Sequence, residues 1–122
     1  MAGGQSVSSF LDVMEIINLE TMSSCTVDTT LNQHRAGHTG DGNLVCGGQY
    51  EDYNYISSCY NVATGDTIKL LNERYWHTSW STDAGIYLLG GDPFSNPDHT
   101  KTTELVTGDT TQARFGLKYD TR

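Results

Sequence analysis

The sequence predicts an all-β fold built from antiparallel four-stranded units. The first observation is a series of short runs rich in β-branched and aromatic residues, separated by clusters of Gly, Asn, Asp, Ser and Thr. The second is a set of landmarks that recurs at about 40–50 residues, a period typical of repeat folds. The runs are LDVMEIINL, NLVCGG, SCYNVA, TIKLL, GIYLLGG, TTELVT and ARFGLKY.

The first run is the one that could also be a helix, because DVMEIINLETM is long enough for one. Its β-branched residues Val13, Ile16 and Ile17 favour a strand instead. We therefore expect two strands across residues 11–31. No later segment combines a 3.6-residue hydrophobic period with capping residues, so the other runs are also expected to be strands.

Three landmarks repeat in the same order along the chain. Glycine pairs stand at 3–4, 47–48 and 90–91, and Arg-x-x-His stands at 35–38 and 74–77. The predicted order within a unit is Arg-x-x-His, strand, turn, strand ending in Gly-Gly, loop, strand, turn, strand. A glycine at a strand end permits a positive φ or a close backbone approach. The glycines interpreted as structural are Gly47, Gly48, Gly90 and Gly91.

This arrangement resembles the kelch repeat, the β-propeller repeat also found in the central domain of galactose oxidase. The matching residues are the Gly47-Gly48 and Gly90-Gly91 pairs, Leu44, Val45, Tyr87, Leu88, Arg35 and Arg74. The resemblance covers nearly the whole chain. Where a kelch blade has a tryptophan in its fourth strand, this chain has Ile68 in one unit and Phe115 in the other. Trp76 and Trp80 are expected in the first strand of their unit.

The resemblance implies one partial propeller over residues 1–122. It comprises a trailing half blade (11–31) and two full blades (35–71 and 74–119). Closed propellers carry about 4–8 blades of four strands, so this chain corresponds to an arc. Because each repeat buries its apolar face on the next, we expect further blades or self-association to complete the ring.

The charge balance excludes several classes of partner. Seven Lys and Arg against 15 Asp and Glu give a formal net charge of −8. Nucleic-acid binding needs a basic footprint, and anionic membrane surfaces also attract basic segments. No apolar run is long enough to span a membrane, and Asp12 and Glu15 interrupt the only apolar stretch near the start, so neither membrane insertion nor a signal peptide is predicted. The charge favours a cationic partner.

The three cysteines, Cys25, Cys46 and Cys59, match no zinc-binding spacing. One interpretation is that all three are unbridged strand residues. The other is a Cys46–Cys59 disulfide, which is sterically plausible if the two residues lie on paired antiparallel strands. A bridge would indicate an oxidising compartment, such as the extracellular space, and the sequence leaves the localisation open.

The resemblance also indicates where a partner would bind. In kelch propellers the loop after the second strand and the loop before the first strand lie on one face, which often holds the ligand. Here these loops are 49–56 with 32–35, and 92–101 with 72–75. The partner-binding candidates are Arg35, Tyr50, Glu51, Asp52, Tyr53, Tyr55, Arg74 and Tyr75. Tyrosine is enriched at binding hot spots. The alternatives are an ordinary solvated loop and, for the arginines, guanidinium groups that satisfy backbone carbonyls between blades.

No catalytic constellation is recognised. A Gly-x-Ser-x-Gly elbow is absent, and His38 and His77 repeat with the unit, which indicates a structural role. His34 and His99 are expected in solvated loops, and neither a metal nor a cofactor is predicted. We therefore expect a non-enzymatic protein-interaction module or scaffold, part of a larger propeller. The alternatives are a fragment of a kelch-type enzyme, copper radical oxidase-like or carbohydrate-active, and a truncated repeat fragment without function.

Overall fold

A computed structural model of the chain describes residues 2–5, 9–17, 19–21, 25–52, 54–92, 101–107 and 111–114. These ranges contain β-strands and turns but no α-helix, which confirms the predicted all-β fold. The strands are β1 (Ala2–Gln5), β2 (Phe10–Ile17), β3 (Cys25–Thr30), β4 (Thr39–Asp41), β5 (Leu44–Cys46), β6 (Gln49–Glu51), β7 (Asn54–Tyr55), β8 (Ser58–Asn61), β9 (Thr67–Lys69), β10 (Thr78–Thr82), β11 (Gly85–Leu89), β12 (Thr103–Val106) and β13 (Thr111–Ala113).

The strands form three antiparallel sheets and one hairpin. The first sheet has the order β1-β2-β3, the second β4-β5-β8-β9 and the third β10-β11-β12-β13. In the second and third sheets, each strand therefore pairs with the next strand of its unit. The hairpin β6-β7 is inserted between the second and third strands of the second sheet. Among the described residues, no helix is long and apolar enough to cross a membrane.

Most predicted strands are present, with some corrections. The choice of strand over helix for the first run is confirmed by β2. The segment after Gly48 is not a simple loop, because Gln49–Glu51 pairs with Asn54–Tyr55. The prediction that Trp76 belongs to a first strand is wrong, since β10 begins at Thr78, whereas Trp80 does lie in β10. Phe115, His99 and most of ARFGLKY lie outside the described residues.

The buried apolar side chains within the described ranges form two cores, one on each side of the second sheet. The core between the first and second sheets contains Met14, Leu31 and Val45, with Ala2, Tyr60 and Val62 packed against it. The core between the second and third sheets contains Leu44, Cys46, Cys59, Ile68, Leu70, Ile86, Leu88 and Val106. Successive side chains of β5 thus pack in different cores, because side chains alternate between the two faces of a strand.

The other face of the third sheet is open to solvent. Trp80, Thr82, Tyr87 and Leu89 line an apolar groove of about 460 Å³ there. Tyr87 and Leu89 precede the glycine pair of their unit by the same distances as Leu44 and Cys46 precede theirs. The face that is covered in the second sheet is therefore accessible in the third.

Candidate functional site

The glycine pairs are the points where one unit meets the next. The Gly48 N–H donates to the Arg74 carbonyl at 2.7 Å, and the Gly4 N–H donates to the Arg35 carbonyl at 2.6 Å. In both cases the second glycine of a pair contacts the arginine that opens the following unit. The same hydrogen bond therefore joins the first sheet to the second and the second to the third.

Gly47 shows why a side chain is not tolerated at such a junction. Its φ is +62°, a conformation that L-residues rarely adopt. An ideal Cβ there would lie 2.6 Å from the Arg74 carbonyl oxygen and 2.7 Å from Cε1 of His77. The backbone of one unit can therefore approach the next only because the Cβ is missing.

The two arginine side chains are buried inside their own units. Arg35 Nη1 donates to the carbonyls of Gly47 at 3.1 Å and Ser58 at 3.0 Å. Arg74 Nη1 donates to the equivalent carbonyls of Gly90 and Thr102. Each guanidinium thus ties the end of the second strand to the start of the third. These carbonyls belong to the same unit as the arginine, so the guanidinium groups do not bridge two units as one alternative had it.

This burial removes Arg35 and Arg74 from the partner-binding candidates. Their relative exposures are 0% and 1%, so neither guanidinium can contact a partner. Burial also lowers the pKa of Arg35 to about 10, because the charged form is removed from water. Their repetition in sequence reflects a repeated structural contact.

Arg74 has a charged partner that Arg35 lacks among the described residues. Arg74 Nε donates to Oε2 of Glu104 at 2.6 Å, and Glu104 is fully buried. The other carboxylate oxygen accepts hydrogen bonds from the N–H groups of Leu71 and, at 3.3 Å, Asn72. Glu104 therefore connects β12 to the segment that links the second and third sheets. Arg35 Nε contacts no acceptor in the described part of the chain.

The two repeated histidines, His38 and His77, also have structural roles. His77 is buried and its Nε2 is hydrogen-bonded to the Thr39 hydroxyl at 2.7 Å. Burial, the nearby charge of Arg74 and the proximity of His38 lower the pKa of His77 to about 3. Burial likewise lowers the pKa of His38. Both rings are therefore held neutral at neutral pH.

We expect this neutral His77 to make the fold sensitive to acid. In the unfolded chain the ring binds a proton near its ordinary pKa of 6.5, whereas the folded chain resists protonation until about pH 3. The stability that neutral His77 contributes is complete above pH 6.5 and is lost as the pH falls towards 3. Over that range the free energy of unfolding falls by up to about 1.4 kcal/mol per pH unit.

Denaturant unfolding at pH 7, 6, 5 and 4 measures this slope. His77→Gln should show a shallower fall in the free energy of unfolding than the wild type over that range. His34→Gln, at an exposed histidine, is the matched control and should keep the wild-type slope. Equal slopes for His77→Gln and the wild type would contradict the claim that neutral His77 makes the fold sensitive to acid.

A disulfide joins Cys46 of β5 to Cys59 of β8. The two residues are directly opposite each other in the antiparallel register, and both are buried. The bridge encloses the β6-β7 hairpin between its two cysteines. It therefore limits how far the base of this hairpin can open.

The hairpin contributes to a stack of three aromatic rings. Tyr55 of β7 stacks on Tyr75, with ring centroids 5.1 Å apart. Tyr75 stacks in turn on Trp76, with centroids 4.5 Å apart. Both interplanar angles are 21°, a near-parallel arrangement. The loop after the second strand of one unit thus contacts the loop before the first strand of the next, and we call Tyr55, Tyr75 and Trp76 the aromatic stack.

Trp76 is held in an unusual backbone conformation. Its φ is +55°, and it is the only non-glycine residue with a positive φ in the described ranges. The equivalent position of the preceding Arg-x-x-His is Gly37, whose φ is +64°. A glycine adopts this conformation without strain, whereas for a bulky residue it costs about 1–2 kcal/mol of conformational free energy. Even so, the indole is 65% exposed.

Gly37 also makes room for the rings. A Cβ at Gly37 would lie 2.2 Å from the Tyr75 ring and 2.9 Å from the Trp76 indole. The Trp76 N–H donates to the Gly37 carbonyl at 2.9 Å. Tyr75 and Trp76 of the aromatic stack therefore pack against the backbone of the preceding Arg-x-x-His segment.

Carboxylates lie beside the aromatic stack. Glu51 and Asp52 are exposed on the hairpin that carries Tyr55, and Asn54 Nδ2 donates to Glu51 Oε2 at 3.2 Å. The Asp92 N–H donates to the Tyr75 carbonyl at 2.7 Å. Burial and the charge of Asp92 raise the pKa of the Tyr75 phenol. The environment of the rings is therefore acidic.

The structure brings together only part of the predicted site. Tyr55 and Tyr75 are in contact, and Glu51 and Asp52 are exposed near them, while Tyr50 is half-buried in β6. Tyr53 lies outside the described residues. Sequence reasoning missed Trp76, although its place in RYWH, opposite glycine in RAGH, is a signal that could have identified it. It also missed Glu104, which nothing local in the sequence indicates.

No group of three or more His, Cys, Asp or Glu side chains that could hold a metal ion occurs in the part of the chain that the structure describes. Comparison with known proteins finds no family model that matches the chain and no curated protein that is significantly similar to it.

Proposed function

We propose that the chain is part of a kelch-type β-propeller and acts as a non-enzymatic protein-interaction module. Its binding surface is the loop face, which we define as Tyr50–Asp52, Tyr55, Tyr75, Trp76 and Asp92. The partner is a protein, because the net charge of −8 disfavours nucleic acid. The bridge between Cys46 and Cys59 is consistent with function in an oxidising compartment.

Three features support the propeller part of the proposal. The second and third sheets have the same strand order, and the same hydrogen bond from the second glycine of a pair joins both successive sheet pairs. The open face of the third sheet also corresponds in register to the covered face of the second. A further sheet, from a longer protein or another copy, would cover it in the same way.

The observation that carries the interaction function is the exposed, strained Trp76. Backbone strain at a bulky residue persists only where the surrounding structure maintains it, and it concentrates at functional sites. Large exposed aromatic side chains are also the commonest anchors of protein interfaces. Loops from two consecutive units converge to hold this indole in place.

The chain offers a matched pair of variants for testing the loop face. Trp76 and Leu19 are large apolar side chains that are 65% and 76% exposed, but Trp76 lies on the loop face and Leu19 in the turn after β2. We expect Trp76→Ser to lose the proteins that the tagged wild-type chain captures from its own cells, and Leu19→Ser to retain them. Quantitative mass spectrometry of cross-linked samples measures both.

Two outcomes would refute the proposed function. One is capture of no protein above the tag alone. The other is retention of the captured proteins by Trp76→Ser, which would show that the loop face is not the binding surface. Circular dichroism of both variants establishes that each is folded before the comparison is made.

A further inference from the structure

We propose that the outer ring face of Trp76 binds a cationic side chain, Lys or Arg, from a basic segment of the protein partner. This inference rests on the proposed function and gives the chemistry of the partner. It is argued from three properties of the site: an available ring face, a fixed ring orientation and a local excess of carboxylates.

The first property is that the indole has one covered and one available side. Tyr75 stacks on it at a centroid distance of 4.5 Å, yet Trp76 as a whole remains 65% exposed. The face of an aromatic ring carries the negative end of its quadrupole, and tryptophan attracts cations best among the aromatic side chains. The available face is therefore a surface on which an ammonium or guanidinium group can rest.

The second property is that the ring is positioned before any partner arrives. Trp76 takes the left-handed conformation that its counterpart Gly37 adopts freely, and its N–H donates to the Gly37 carbonyl. Tyr75 is supported from behind by Tyr55. A side chain held by a stack loses little rotamer freedom on binding, which favours affinity.

The third property is the balance of charge on the described loops around the ring. Glu51 and Asp52 are exposed carboxylates on the hairpin that carries Tyr55, and the charge of Asp92 acts on the Tyr75 phenol. Arg74 is paired with Glu104 and Arg35 is buried, so neither guanidinium lies on the surface that a partner meets. A cation approaching Trp76 thus meets an acidic surface, which also increases the rate of encounter.

The inference predicts saturable binding of a defined basic peptide. The probe is hexa-arginine in 0.15 M salt, titrated into Trp80→Phe so that Trp76 is the only tryptophan and reports by its fluorescence. Isothermal titration then measures Kd for the wild type and the variants. We expect Trp76→Leu to weaken binding roughly three- to thirtyfold, the range for removal of one cation–π contact. Trp80→Leu should leave Kd unchanged.

A second variant keeps the test valid if Trp76→Leu folds poorly. Trp76→Gly restores the residue of the preceding unit, relieves the left-handed strain and should lose binding to the same extent. Paired neutralisation of Glu51 and Asp52, as E51Q/D52N, should also raise Kd and reduce its dependence on salt concentration. Hexa-glutamate and a neutral hexasaccharide are the control ligands, and neither should bind.

Three results would overturn the inference. These are no saturable response to hexa-arginine, an unchanged Kd in both Trp76 variants, and tighter binding of the neutral hexasaccharide than of hexa-arginine. If Trp76→Ser still loses its captured proteins in that case, the loop face binds a protein through other chemistry and only the cationic ligand is wrong. If hexa-arginine binds through Trp76 but no protein is captured, the proposed function fails and the cation site remains.

Discussion

Glu104→Gln is expected to lower the free energy of unfolding by about 3–5 kcal/mol, because it removes the carboxylate that is paired with a buried arginine. Arg74 is 1% exposed and its Nε is 2.6 Å from the Glu104 carboxylate. Glutamine preserves the shape of the side chain but leaves the guanidinium charge without compensation. The change also weakens the hydrogen bonds that Glu104 accepts from Leu71 and Asn72.

Denaturant unfolding measured by circular dichroism tests this expectation. Glu51→Gln is the matched control, since it neutralises a carboxylate that is exposed on the hairpin. It should change stability by less than about 0.5 kcal/mol, as surface substitutions usually do. If Glu104→Gln were no more destabilising than this control, the buried ion pair would not contribute as the structure indicates.

Gly47→Ala is expected to destabilise the chain by about 4 kcal/mol or more, a range that single substitutions seldom reach. About 1–2 kcal/mol of this comes from forcing an L-residue into the left-handed conformation. The rest comes from the new Cβ, which would lie 2.6 Å from the Arg74 carbonyl and 2.7 Å from the His77 ring. The second and third sheets must then move apart at the junction.

Gly42→Ala separates the two contributions. Gly42 has a φ of +58°, close to the +62° of Gly47, but no atom lies within 4 Å of its ideal Cβ position. It should therefore show the conformational cost alone. Denaturant unfolding of both variants measures the loss of unfolding free energy in each. Equal losses in Gly47→Ala and Gly42→Ala would mean that the close approach at Gly47 has no energetic consequence.

Together these contacts explain how a repeated backbone can carry a site that is not repeated. The glycine pairs, the buried arginines and the inter-sheet hydrogen bonds recur from unit to unit. The aromatic stack does not, because Gly37 in one segment is replaced by Trp76 in the next. In both copies of Arg-x-x-His the third residue has a left-handed backbone conformation. In the second copy that residue is a tryptophan, and its ring is exposed.

The sequence by itself determined the all-β class, the approximate positions of six of the thirteen described strands and the backbone role of the glycine pairs. These properties are local or periodic: β-branched runs define strands, and a landmark that recurs in phase marks a repeated unit. The segment at 10–17 is a strand as its β-branched residues predicted, and the glycines at 47–48 do have positive φ. The kelch-type propeller itself remains a proposal.

Only the tertiary structure decided which polar side chains are accessible. Arg35 and Arg74 have the same local sequence signature whether they bind a partner or their own backbone, and burial inside their own units made the difference. The pairing of Arg74 with Glu104, 30 residues apart, depends on how the arginine segment folds onto its own sheet, and the contact of Tyr55 with Tyr75 depends on how successive units pack. Such contacts are set by the distance and register between sheets, which no local pattern in one strand encodes.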